Sequence, residues 1–85
     1  MKKICYYNNK NIIFEKLKEL REQKGLSQSN LAARLQTMNV NIDQQMISKI
    51  EMNKRQVTDY ELACICKCLK ITPNEMLNFD DIQLD

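Results

Sequence analysis

Apolar residues recur along this chain at the three- and four-residue intervals that place them on one face of a helix. The first pattern predicts a helix from Asn11 to Lys24, with Asn11 as its N-cap and Gly25 as the left-handed residue that ends it. Its apolar positions fall within an arc of about 120°: Ile13, Phe14, Leu17 and Leu20. Arg21 lies inside the same arc, and because an unpaired buried charge is costly, it requires a partner.

A second helix follows directly. Ser27 is its predicted N-cap, and its inner stripe consists of Leu31, Ala32, Leu35 and Met38. Residues 37–41 predict a somewhat lengthened helix followed by a loop, in which Asn39 and Asn41 tolerate the left-handed conformation that a turn needs.

The third predicted helix is short and has two chemically different faces. Asp43 is its predicted N-cap, and it runs from Gln44 to about Glu51. One face is apolar and carries Met46, Ile47 and Ile50. The opposite face carries amides, a hydroxyl and an amine: Gln44, Gln45, Ser48 and Lys49.

Two capping boxes mark the starts of the last two helices. The box from Thr58 to Glu61 opens a fourth helix that ends near Leu69. The box from Thr72 to Glu75, with a Pro at the first helical position, opens a fifth that ends near Leu77. The predicted fold is therefore all-α with five helices. We expect an N-terminal arm over residues 1–10, the helical domain over 11–78 and an acidic C-terminal tail over 79–85.

The composition indicates one small domain and weighs against catalysis. One Gly and one Pro among 85 residues exclude a loop-rich sandwich or barrel. The sequence has no His, which is the usual general base and the commonest metal ligand, and a single Gly cannot build a phosphate-cradling loop. No apolar run approaches the ~20 residues of a membrane span. We therefore expect a cytoplasmic protein that is not an enzyme and needs no cofactor.

The charge is unevenly spread. Residues 1–58 hold 11 Lys and Arg against 5 Asp and Glu, a net charge of +6. Residues 59–85 hold 2 against 6, a net charge of −4. This asymmetry favours a polyanionic partner for the first part of the chain.

The cysteines of the fourth helix invite a metal interpretation, which their spacing disfavours. Cys64 and Cys68 share a helix face, whereas Cys66 points about 160° away from Cys64. A tetrahedral zinc site needs four converging ligands from two segments. We expect no metal, and these cysteines to be small buried or half-buried apolar residues.

Several segments together resemble the lambda-repressor-like (Xre/Cro-type) helix-turn-helix family. The first is the run from Leu17 to Gln28, followed by Leu31 and Ala32 and then by the run from Ile47 to Glu51. The triplet Asn53-Lys54-Arg55 and the segment from Leu69 to Leu77 fit the family too. The resemblance implies a transcriptional regulator, in this family commonly a repressor, that binds double-stranded DNA through a five-helix domain.

The resemblance also implies roles for individual residues. The residues expected to read bases in the major groove are Gln44, Gln45 and Lys49. Those expected to contact the DNA backbone are Gln28, Asp43, Ser48, Asn53, Lys54 and Arg55. Arg21 of the first helix is expected to form an ion pair with Glu51, which supplies the partner that its apolar-face position requires.

Two positions depart from the family pattern. Residues 36–41 stand where the family has about one residue, so the tight turn between the second and third helices is replaced by a longer connection. Lys70 stands where Gly commonly ends the fourth helix, at some conformational cost.

A homodimer is expected, because one module of this size reads too few base pairs to find a site in a genome. Its surface is expected on the fifth helix and tail, where apolar residues lack an obvious intrachain partner: Met76, Leu77, Phe79, Ile82 and Leu84. The alternative function is a protein-interaction module, such as an antitoxin or an anti-repressor-binding domain, which the acidic C-terminal part would favour.

Overall fold

The computed structural model describes residues 4–5, 8–78, 80 and 82–83, and its helices confirm the predicted five-helix all-α fold. The helices are α1 (Phe14–Gln23), α2 (Gln28–Thr37), α3 (Gln44–Glu51), α4 (Asp59–Leu69) and α5 (Pro73–Leu77). Two two-residue strands, β1 (Ile4–Cys5) and β2 (Ile82–Gln83), pair in parallel and bring the two ends of the chain together. The sequence pattern did not predict this pairing. None of the described helices is long and apolar enough to cross a membrane.

Side-chain caps start four of the helices where the sequence predicted them. Ser27, Thr58 and Thr72 each form a reciprocal capping box with the residue three positions later, and the Asp43 carboxylate accepts from the Met46 N–H. The predicted start of α1 is wrong. This helix begins at Phe14 without a side-chain cap, because the Asn11 side chain is committed elsewhere in the fold.

The first four helices each end in a residue with left-handed backbone, although the chain has a single Gly. The φ angles are 71° at Gly25, 63° at Asn39, 59° at Asn53 and 58° at Lys70. At each end, two backbone N–H groups bond back to carbonyls of the last turn, which is the Schellman arrangement. Asn tolerates this conformation, whereas Lys adopts it against a steric cost of about 1–2 kcal/mol.

Extra helix accounts for residues 36–37 of the long connection between α2 and α3, and residues 38–43 form a loop. Helix α2 continues to Thr37, and the chain then turns through Asn39, so that the Val40 N–H donates to the Leu35 carbonyl at 2.9 Å. Ile42, only 1% exposed, enters the core and places the next residue at the start of α3. The prediction that Met38 belongs to the inner stripe is wrong: it is the C-cap of α2 and is 43% exposed.

Every helix contributes to one apolar core, which includes two of the cysteines. The fully buried large side chains are Leu17, Leu31, Leu35, Ile42, Ile47, Ile50, Ile65, Cys66 and Met76. Cys66 and Cys68 are buried, and burial raises the pKa of both thiols, while Cys64 is half-buried against the core. They are therefore packing residues, as predicted. The described part of the chain contains no cluster of Cys, Asp and Glu side chains that could hold a metal.

The predicted dimer surface is partly wrong. Met76 is fully buried in the core, and Leu77 is half-buried against it, because α5 packs its apolar side on α1 and α4. Phe79, Leu84 and the side chain of Ile82 lie outside the described residues.

Candidate nucleic-acid interface

Helix α3 presents a polar, solvent-facing side that is fixed from behind by the core. Gln44, Gln45 and Lys49 are exposed, whereas Ile47 and Ile50 on the opposite side are completely buried. The cap by Asp43, at 2.9 Å from the Met46 N–H, holds the first turn. The three residues that the sequence singled out for base contact therefore stand together on one accessible helix face.

Gln44 is connected to the preceding helix by a contact that the sequence did not reveal. The Ser29 hydroxyl of α2 donates to Gln44 Oε1 at 3.4 Å. This bond links the first turns of α2 and α3 and restricts the Gln44 amide. Nothing in the local pattern singles out Ser29, because the contact depends on how the two helices cross.

The Arg21–Glu51 ion pair expected from the family pattern is present and is nearly inaccessible to solvent. Arg21 Nε and an Arg21 Nη donate to the two carboxylate oxygens of Glu51 at 2.7 and 3.0 Å. The side chains are 8% and 4% exposed, respectively. The other Arg21 Nη donates to the Leu26 carbonyl at 2.7 Å. The hydrogen bond to Glu51 is the main cause that raises the pKa of Arg21, and the pair ties α1 to α3.

Gln28 joins the same carboxylate to the protein surface. Its amide nitrogen donates to Glu51 Oε1 at 2.9 Å, so Glu51 accepts side-chain bonds from both α1 and α2. An amide nitrogen carries two hydrogens, and this bond uses one of them. The half-buried Gln28 can therefore donate a second bond outward while its position is held by the ion pair.

The loop after α3 is held by Asn53, whose side chain bonds within the chain. Its Oδ1 accepts from the backbone N–H groups of Lys10 and Asn11 at 2.8 and 3.3 Å. Its Nδ2 donates to Asn9 Oδ1 at 2.6 Å. Asn53 thus has a left-handed backbone conformation, which Gly could also adopt. Unlike Gly, it also has an amide, and this amide anchors the segment before α1.

Asn11 is a buried polar clamp rather than a helix cap. Its Nδ2 donates to the carbonyls of Ile50 and Arg55 at 3.0 and 2.9 Å, and its Oδ1 accepts from the Ile13 N–H at 3.0 Å. One residue, Asn11, which is only 9% exposed, makes all three of these hydrogen bonds. Asn11 therefore joins the last turn of α3 to the loop that follows it.

The two cations of this loop differ in how they are engaged. Arg55 makes a two-point contact with Glu61, at 3.0 Å for both bonds, and this bond lowers the pKa of the Glu61 carboxyl. Lys54 is exposed and, like Lys49, has no salt bridge within the described residues. The charge of Lys54 is thus available to an external anion, while that of Arg55 is largely neutralised.

Met52 is a further exposed residue at the end of the polar α3 face, just beyond the predicted end of that helix. It is 53% exposed, and its sulfur lies 3.6 Å from the half-buried Ser48 hydroxyl, which donates to it. Its spacing of four residues from Ser48 is the signal that would have placed it on this face.

Comparison with known proteins agrees with this arrangement. A family model described as helix-turn-helix matches residues 17–76. Among solved structures, the chain is similar to the restriction-modification controller protein C.AhdI from Aeromonas hydrophila, with 30% sequence identity and a TM-score of 0.67. The alignment covers 75% of this chain and 86% of that one. A search of curated proteins finds no match.

Proposed function

Because the chain belongs to the lambda-repressor-like helix-turn-helix family of DNA-binding transcription regulators, we propose that it is a repressor that places α3 in the major groove of a specific double-stranded site. The observation that carries this proposal is the exposed face of α3, where two glutamines and a lysine stand on a helix whose other side is buried in the core.

The α3 side chains have the chemistry that base readout requires. A Gln amide can pair bidentately with adenine, and a Lys ammonium can donate to the acceptors of guanine. We assign base contacts to Gln44, Gln45 and Lys49. Of these, Gln44 is already restrained by Ser29, which lowers the cost of ordering it on DNA.

Contacts to the DNA backbone set the register of α3. The residues proposed for direct contacts are Gln28, Ser48, Asn53, Lys54 and Arg55. Lys54 is the strongest of these because its charge is uncompensated within the described residues. Asn53 and Arg55 act while keeping their internal bonds. A carboxylate repels phosphate, so Asp43 contributes by holding the α3 terminus.

In the proposed mechanism, the bound protein blocks access of the transcription machinery to the same stretch of DNA, which represses transcription. The similarity to a protein described as a controller supports regulation rather than catalysis. We place the protein in the cytoplasm, where a bacterial-type regulator meets its DNA, and propose neither enzymatic activity nor a cofactor.

A homodimer is part of the proposal. A module of this size buries limited DNA surface, and two copies would place their α3 helices about one helical turn apart. Sedimentation with and without DNA tests this. Two protomers per duplex, on half-sites centred ~10 bp apart or a multiple of that, are expected, and a single protomer on an asymmetric site would refute the dimer.

Selection from random duplexes, followed by a salt titration on the selected site, tests the function. A DNA-binding regulator yields a defined sequence and an affinity that falls steeply as salt rises. The competing function, a protein-interaction module favoured by the −4 net charge of residues 59–85, predicts no enrichment and no salt-dependent DNA binding.

A further inference from the structure

We infer that the segment Asn8–Asn11 is part of the DNA-binding surface, that Asn53 holds it there, and that Lys10 supplies a phosphate contact beside Lys54. This inference rests on the proposed function. The family pattern assigns no DNA contact to this segment, and the sequence analysis predicted only a helix N-cap at Asn11.

The attachment of this segment is specific and spans more than forty residues of sequence. Asn53 accepts from two successive backbone N–H groups, those of Lys10 and Asn11, and donates to the side chain of Asn9. One amide side chain thus uses both its oxygen and its nitrogen on the same short segment. The segment is thereby fixed at the loop that follows α3.

The choice of residue at this turn supports a dedicated role. Residue 53 has a φ of 59°, a conformation that Gly adopts without steric cost. Asn tolerates it less well but supplies an amide. Because that amide makes three bonds to Asn9, Lys10 and Asn11, its use here is to position the segment.

Backbone contacts connect Lys10 to the other uncompensated cations of the interface. The Lys10 N–H donates to the side-chain oxygen of Asn53, and Lys54 follows Asn53 in the chain. The Lys54 N–H in turn donates to the Lys49 carbonyl at 2.8 Å. All three lysines are exposed, and none has a salt bridge within the part of the chain that the structure describes. The nearby carboxylate of Glu61 is occupied by Arg55.

Because these bonds bring the three residues together, we expect the side chains of Lys10, Lys54 and Lys49 to form a cationic strip beside the polar face of α3. Its complement is a regularly spaced row of negative charges, which the phosphates of one DNA strand provide at intervals of ~3.4 Å along the axis. The strip therefore extends the phosphate contacts of the loop toward the segment before α1.

A salt titration of the full-length Lys10→Ala variant tests the contact. Losing one phosphate contact lowers the slope of log affinity against log salt by about 0.9. Between about 50 and 200 mM salt, the parent should therefore lose about 3.5-fold more affinity than the variant. The loss of affinity at low salt should be the same for the selected site and for a random duplex, since phosphates carry no sequence.

Lys67→Ala is the matched control, because Lys67 is an exposed lysine in the last turn of α4, whereas the loop after α3 contacts the first turn of that helix through Arg55 and Glu61. It removes the same charge and should leave the slope unchanged. If Lys10→Ala and Lys67→Ala show the slope of the parent, the phosphate contact is wrong.

The anchoring by Asn53 is tested by combining Asn53→Gly with Lys10→Ala. Asn53→Gly preserves the left-handed turn and removes only the amide, so the domain should remain folded, as circular dichroism would verify. In that background, Lys10→Ala should change the slope by much less than 0.9. A full effect of Lys10→Ala there would overturn the anchoring role. If the parent itself shows no salt-dependent DNA binding, the proposed function fails first, and this inference fails with it.

Discussion

The guanidinium of Arg21 and the carboxylate of Glu51 meet at two points, 2.7 and 3.0 Å apart, in a position almost closed to solvent. Glu51 is the last residue of α3, a helix of eight residues that would not be stable on its own. The pair therefore connects the packing of α1 with the placement of α3, the helix proposed to bind DNA, and through Gln28 it also reaches the surface.

Replacing one partner of this pair should destabilise the domain strongly. Glu51→Gln leaves the Arg21 charge buried without its counter-ion, and breaking a buried pair in this way costs ~3–5 kcal/mol in the free energy of unfolding. Urea unfolding followed by circular dichroism measures the loss. Glu19→Gln is the control, because Glu19 pairs with Lys16 at 3.6 Å on the surface, where a pair contributes about 1 kcal/mol or less. Equal stabilities for both variants and the parent would refute the structural role of the pair.

Lys70 offers a gain in stability. Because its φ is 58°, a side chain there carries a steric cost of about 1–2 kcal/mol. Gly would remove this cost, but its higher entropy in the unfolded chain would cancel part of the gain. Lys70→Gly should therefore raise the free energy of unfolding by up to about 1 kcal/mol. Lys70→Ala retains a Cβ and should show no such gain. The explanation fails if the Gly variant is no more stable than the Ala variant.

The Arg55–Glu61 contact predicts an acid-sensitive contribution to folding. The hydrogen bond from Arg55 is the largest cause that lowers the pKa of Glu61 in the folded chain, aided by the Thr58 N–H, from an ordinary value of 4.5. A lowered folded pKa means that the contribution is complete above pH 4.5 and is lost as the pH falls through the folded pKa.

Comparing the parent with Glu61→Gln by thermal unfolding at several pH values measures this contribution. The difference in stability between them should shrink as the pH is lowered below 4.5. A difference that stays constant between pH 6 and the acid limit of folding would show that the Glu61 carboxylate contributes nothing through its charge.

The parts of this fold that were predictable from sequence are those that local chemistry determines. Helices α3, α4 and α5 begin at caps whose partners lie three residues away, so a short window of sequence contains the whole signal. The left-handed Asn39 was anticipated for the same reason.

The errors have nonlocal causes. Asn11 has the composition of an N-cap, but its amide bonds carbonyls about forty residues away, which no local pattern reveals. The role of Asn53 and the parallel pairing of β1 with β2 were missed because they also join distant parts of the chain. Met38 continues the helical period of α2 but falls on the C-cap, where the chain turns away.

The central claim, that α3 reads bases, is tested most directly by Gln45→Ala. Its affinity should be measured by fluorescence anisotropy at one salt concentration, on the selected site and on a random duplex. Gln45 is exposed and has no role in the core, so its loss should leave the fold intact. The account predicts a loss of ~1–3 kcal/mol on the selected site with almost no change on random DNA, whereas Lys54→Ala weakens both equally. An equal loss for Gln45→Ala on the two duplexes would contradict base reading by α3.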